Sequence, residues 1–204
     1  MVKERLDSIG ELTGSVAAPR EGSVLPDSYS FERGDDRGAI VKRMQDAMTN
    51  YLAAAWAKRK PGLAVRTPEE ALVLASIVEK ETGKPSERRT VAAVYSNRLK
   101  RGMMLQADPT IIYPITKGKP LGRRILLSEV HAVNDYNTYA MTGLPKGPIC
   151  NPGRASIDAV LDPADSQALY FVADGSGGHV FADTLDQHNA NVAKWRAYRA
   201  AHGI

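Results

Sequence analysis

Residues 67–83 read TPEEALVLASIVEKETG, and local pattern alone makes them a helix. Thr67 suits the N-cap, Pro68 the first helical position and Glu70 the third. A threonine there accepts from an otherwise orphaned backbone N–H, a proline has no N–H to orphan, and a glutamate can reach back to the cap. From Ala71 to Val78 every residue except Ser76 is apolar, and Gly83 is the natural stop.

Two glutamates close this helix and a third, Glu87, follows it. Each helical residue turns about 100°, so Ile77, Val78 and Glu81 fall close to the line through Leu74. Glu79 points away, nearer Leu72, Ala75 and Ser76. Glu81 therefore extends the most apolar stripe. Partial desolvation there raises a carboxyl pKa, and the negative end of the helix dipole acts in the same direction. Both keep the acid protonated near neutral pH, as a general acid requires. Periodicity alone fits an ordinary polar helix end equally well. Glu79 and Glu87 read as exposed or salt-bridged, with Arg88 and Arg89 beside Glu87.

Working outward, residues 1–36 are rich in Gly, Ser, Pro and charge and read as an irregular arm with a short strand. Ile40, Met44, Ala47, Met48, Tyr51, Leu52 and Ala55 set a helical period from Arg37 to Lys60, which Pro61 and Gly62 end. A third helix is expected over residues 86–101, ended by Gly102. Residues 103–153 read as loop-rich, with short helices at LLSEVHAV and, just beyond, SIDAVLD. LYFVADGSGGHVFAD reads as a β-hairpin around a Gly-rich turn, and a last helix runs from about Thr184 to Ala201. The expected fold is α+β and mainly helical, with a small antiparallel β-hairpin. The boundaries are an arm over 1–36 and a catalytic domain over 37–204.

The 204 residues are 43% hydrophobic and 25% charged, the balance of a globular chain with a real core. The net charge of +4 suits an anionic partner, but no basic stripe with interleaved aromatics points to nucleic acid. Cys150 is the single cysteine, which excludes an intrachain disulfide and a zinc site built on two cysteines, and it reads as a small buried thiol. The four histidines, at 131, 179, 188 and 202, have no short metal-ligand spacing, and neither HExxH nor GxSxG occurs. There is no signal peptide and no apolar run of about 18 residues. The abrupt polar start, MVKERLDSIGELTGS, reads as a cut into a longer protein.

Two polar clusters remain. GMMLQADPTIIY carries Gln106, Asp108 and Thr110; NDYNTYAMTGLPKGPICNPG carries Asn134, Tyr136, Asn137, Thr138, Tyr139, Thr142 and Asn151. Neutral hydrogen-bonding groups and aromatic faces suit a sugar, although Asn, Asp and Gly also simply build turns.

LASIVEKET, NRLKRGMMLQADPTIIY, YNTYAMTGLPKGPICNPG and LYFVADGSGGHVFADTLDQHN follow one another in this order. Together they resemble the catalytic domain of the YceG-like endolytic murein transglycosylases (MltG type), over about residues 22–200. A fainter similarity reaches the soluble lytic transglycosylases with a lysozyme-like helical core. There a Glu-Ser pair, a Met-Gln motif and an Ala-Tyr-Asn motif correspond to Glu81-Thr82, Leu105-Gln106 and Tyr136-Asn137. The resemblance implies that Glu81 is the catalytic acid. It also implies that Gln106, Asp108, Thr110, Tyr136, Asn137, Thr138, Tyr139 and Asn151 bind substrate, with no metal and no cofactor. Implied partners are peptidoglycan glycan strands and peptidoglycan synthases (penicillin-binding proteins). The implied setting is the periplasmic face of the bacterial inner membrane, reached through an N-terminal anchor helix absent here. The arm would be a remnant of a LysM-like subdomain.

The implied reaction cuts the MurNAc–GlcNAc β-1,4 bond and leaves a 1,6-anhydro end. An ordinary glycosidase would need a second carboxylate, for which Asp108 is the candidate. A non-catalytic glycan-binding module is the third alternative.

Overall fold

The computed structural model describes residues 1–203. The helix expected first is α3 (Pro68–Glu81). Thr67 Oγ1 accepts from Glu70 N at 3.2 Å, as the cap pattern requires. Glu70 Oε2 accepts from Arg66 N at 2.6 Å, so the return bond lands one residue before the cap. Leu74, Ile77 and Val78 are fully buried, and α3 packs against α2 (Arg37–Ala57), α4 (Arg88–Lys100), α5 (Asp108–Thr116) and α7 (Arg154–Leu161). A helix apolar on most of its faces has to be surrounded in this way. The main core adds Leu25, Met48, Val91, Tyr95, Leu105, Ile149, Ile157 and Val160.

The end of α3 differs from expectation. Thr82 is extended (φ −138, ψ 130), and Gly83 is not left-handed. Pro85 follows within three residues and bars helical geometry at Lys84, which is extended too. The chain leaves α3 directly, makes a 3₁₀ turn at Pro85–Glu87, and α4 begins at Arg88 rather than near residue 86.

Three other differences stand out. Within the arm, α1 (Val2–Asp7) is helical, and the expected strand is only a parallel bridge between Thr13 and Asp36. Six residues are too few to show a period or to be stable alone. They are held from outside: Leu6 packs with Leu12, Val24, Ile40 and Val41, and Arg37 donates to the carbonyls of Leu6, Ile9, Leu12 and Gly14. Residues 108–116, within the stretch read as loop-rich, form α5. Pro109 is a permitted start there, whereas Pro114 inside the helix argued against one.

The remaining elements follow the reading. α6 (Leu127–Val130) and α7 are short helices. β1 (Tyr170–Ala173) pairs antiparallel with β2 (His179–Ala182), Phe171 opposite Phe181. α8 (Leu185–His202) starts at a Thr184–Gln187 capping box and lies on the hairpin. The chain is mainly helical with one small antiparallel sheet. Among the described residues no helix is long and apolar enough to cross a membrane, and no cluster of metal-ligating side chains occurs.

Candidate active site

Where α3 ends, a cleft of about 240 Å³ opens between the helical core and the hairpin. Glu81 comes from α3, Tyr95 and Arg98 from α4, Gln106 and Asp108 from the start of α5, and Tyr139 from the long loop. Phe171 and His179 form the hairpin wall.

Glu81 Oε2 is buried and accepts no hydrogen bond. Burial, and then the negative charge of Asp108, push the Glu81 pKa up to about 7; the Tyr95 hydroxyl and the Arg98 guanidinium act against the rise. A carboxyl in this position carries a proton at neutral pH and can also give it up.

The groups around it are held tightly. Arg98 is buried; its Nε donates to Leu169 O at 2.6 Å and its Nη1 to Leu105 O at 2.9 Å and Gln106 Oε1 at 3.3 Å. Gln106 lies in the left-handed region (φ 52), an uncommon conformation for a non-glycine residue, with its N donating to Thr138 O at 3.0 Å. The Tyr139 hydroxyl donates to Asp108 Oδ1 at 2.6 Å. Burial and that carboxylate raise the Tyr139 pKa, so the phenol keeps its proton. Tyr95 is fully buried and meets the Phe171 ring edge-on at 5.8 Å.

Of the residues expected to bind substrate, Gln106, Asp108 and Tyr139 share the cleft with Glu81. The other five do not line it. Asn137 is fully buried and its amide donates to the carbonyls of Glu129, Val130 and Ala132. Thr110 and Thr138 are fully buried with their hydroxyls 2.8 Å apart, and Thr138 Oγ1 accepts from Ala107 N. This knot sits behind Gln106 and Asp108 and fixes them. Tyr136 packs at a tilt against Tyr113, ring centroids 4.9 Å apart, and Asn151 Oδ1 accepts from Val24 N in the arm. Polar composition alone cannot tell a side chain that faces a ligand from one that ties a loop.

Glu79 differs from the sequence reading, whereas Glu87 is salt-bridged as expected. Glu79 Oε2 accepts from Gly153 N at 3.2 Å and from Ser156 Oγ at 2.5 Å, at the start of α7, with no ion pair among the described residues. Glu87 is partly buried and pairs with Lys84 at 3.5 Å and with His179, rather than with the adjacent Arg88 or Arg89. Tyr95, Arg98, Phe171 and His179 were not singled out as site residues. The i, i+3 spacing of Tyr95 and Arg98 was the one local signal for a shared face.

Other hollows, of about 280 and 400 Å³, lie beside the arm. The larger is lined by Glu21, whose pKa burial raises while Lys80 lowers it, and by Glu79, already committed to α7. Neither hollow joins two carboxyls, a buried guanidinium and an aromatic wall as the Glu81 cleft does.

Residues 2–194 match the model of the YceG-like family. The chain belongs to the YceG-like family. It is 35% identical over 182 residues to an endolytic murein transglycosylase of Bacillus subtilis (strain 168), covering 89% of this chain and 49% of that protein. It is also 35% identical over 180 residues to one of Streptococcus pneumoniae (strain D39), covering 85% of this chain and 32% of that one. The crystal structure of a YceG-like protein from Listeria monocytogenes superposes with a TM-score of 0.72 at 31% identity, over 93% of this chain and 62% of that one. This YceG-like chain thus spans about half the length of the Bacillus relative and about a third of the pneumococcal one. The family match begins in the arm, ahead of the region carrying the sequence resemblance.

Proposed function

We propose that this chain is the catalytic part of an endolytic murein transglycosylase, cutting the MurNAc–GlcNAc β-1,4 bond of nascent peptidoglycan strands. The observation that carries the reading is Glu81, a buried carboxyl with an unpaired Oε2 and a pKa of about 7 in an aromatic-walled cleft. The names of its relatives support the same chemistry.

Glu81 gives its proton to the glycosidic oxygen, the bond to muramoyl C1 breaks, and the GlcNAc side leaves as an alcohol. Positive charge gathers at C1, where the Asp108 carboxylate is the nearby counter-charge. Glu81, now a carboxylate, removes the proton of the muramoyl 6-hydroxyl as that oxygen bonds to C1. The 1,6-anhydro ring closes, water is not consumed, and Glu81 ends protonated as it began. Burial and Asp108 favour the acid at the start; Tyr95 and Arg98 favour the carboxylate midway. Balance between these opposing groups is what lets one residue serve both steps.

A peptidoglycan hydrolase is the second reading, favoured by Asp108 sharing the cleft as a second carboxylate. Product analysis of digested glycan strands separates the two. Anhydro ends are expected, reducing ends would establish the hydrolase, and uncut glycan would leave a binding module. Peptidoglycan synthases as partners belong to the same proposal, as does attachment at the outer face of the cytoplasmic membrane, which is the periplasmic face where a second membrane exists.

A further inference from the structure

The hairpin wall holds a side-chain pair that the reaction above leaves unused. Glu87, in the turn after α3, receives two hydrogen bonds from His179 at the start of β2: His179 N to Oε1 at 3.0 Å and Nδ1 to Oε2 at 2.8 Å. Burial works against ionisation of Glu87, but these bonds and the Lys84 ammonium overcome it and hold its pKa below the usual range. An ionised carboxylate only accepts, so Nδ1 carries a proton and Nε2 is turned away from Glu87.

That nitrogen bonds no protein group among the described residues and is not among the buried unpaired atoms, while the ring lines the cleft with Glu81. Phe171 packs edge-on against the ring at 5.1 Å and fixes its plane. The close approach needs Gly178, where a Cβ would stand 2.4 Å from Glu87 Oε1. A carboxylate that orients an imidazole, with the far nitrogen left open on a cleft, is a preorganised hydrogen-bonding group.

We propose that His179 is a substrate-binding residue whose Nε2 hydrogen-bonds a hydroxyl of the bound glycan, with Glu87 holding the ring for that purpose. The proposal rests on the transglycosylase reading for its ligand but not on Glu81 chemistry, so it is tested by binding. In the Glu81→Gln protein, calorimetry measures the affinity for peptide-free peptidoglycan glycan strands, and thermal unfolding is recorded on the same samples. His179→Asn keeps an N–H near the Nδ1 position for Glu87 and removes Nε2. His179→Gln places an amide near Nε2 and loosens the bond to Glu87. Asn should weaken binding about five- to tenfold, the worth of one hydrogen bond, with melting nearly unchanged. Gln should bind better than Asn while melting no higher. In the otherwise native chain the Asn defect should fall mainly on KM. Equal binding by the Asn variant and its parent, or affinities that simply follow melting temperature, would overturn the proposal. Cleavage without anhydro ends would instead fault the transglycosylase reading and leave the binding result standing.

Discussion

Two faces of the last turn of α3 use the same residue type in opposite ways. On one face Glu79 spends its carboxylate on Gly153 N and Ser156 Oγ and fastens the start of α7. On the other, two residues later, Glu81 keeps a buried oxygen without a partner. A buried polar group left unpaired costs stability and persists where something else is gained. A satisfied carboxylate therefore reads as structure, and an unsatisfied one beside a cleft reads as chemistry.

The largest expected effect breaks this contrast if it is false. Glu81→Gln keeps shape and removes the proton, and should slow glycan cleavage about 10²–10⁴-fold with the fold intact. Glu79→Gln should leave cleavage per folded molecule unchanged and lower stability by about 1 kcal/mol, through lost charge at a helix N-terminus. The reverse pattern, read from product release and melting of both variants, would exchange the two roles.

The next effect is the cost of a raised pKa. The unfolded chain ionises Glu81 near 4.5, the folded chain near 7. Below the unfolded value both states hold the proton and no cost exists; it grows as pH rises and is complete above about 7, reaching about 3 kcal/mol. Glu81→Gln should gain stability over the native chain across that interval, and native activity should fall as pH rises through about 7. Unfolding curves whose difference is flat with pH would show an unshifted acid.

The contrast extends to the polar loops. Asn137→Ala removes hydrogen bonds to three partly buried carbonyls and should cost about 1–3 kcal/mol while sparing activity per folded molecule. Gln106→Ala should do the opposite, because the left-handed strain at φ 52 remains and only the cleft side chain is lost. Melting and activity measured together decide the pair.

The smallest effect sharpens the account of Glu81. Asp108→Asn removes a charge that raises its pKa, so the alkaline limb of activity should move to lower pH with cleavage retained. Complete loss in the pH–rate profile would make Asp108 a direct participant and favour the hydrolase.

Features set by near neighbours were legible in the chain. The α3 cap, the fully buried stripe through Leu74, Ile77 and Val78, the hairpin and the Thr184 cap all follow from spacing within a few residues. α1 and α5 were not legible. One is too short to show a period and is held by Arg37, and the other contains Pro114. Among the site residues, the polar loop showed that Asn137, Thr138 and Tyr139 would do polar work, but not which way each would face.

By itself the sequence determined that a helix runs from Pro68 through Glu81 and that this glutamate, not Glu79, continues the apolar stripe, because the helical period is a local property. Tertiary structure alone decided what Glu81 meets. Asp108 arrives on α5, Arg98 is locked by Leu169 O some 71 residues away, and His179 joins Glu87 across 92 residues. Such pairings depend on how distant elements pack around one core. That packing is also what withholds a partner from Glu81 Oε2 and thereby raises its proton affinity.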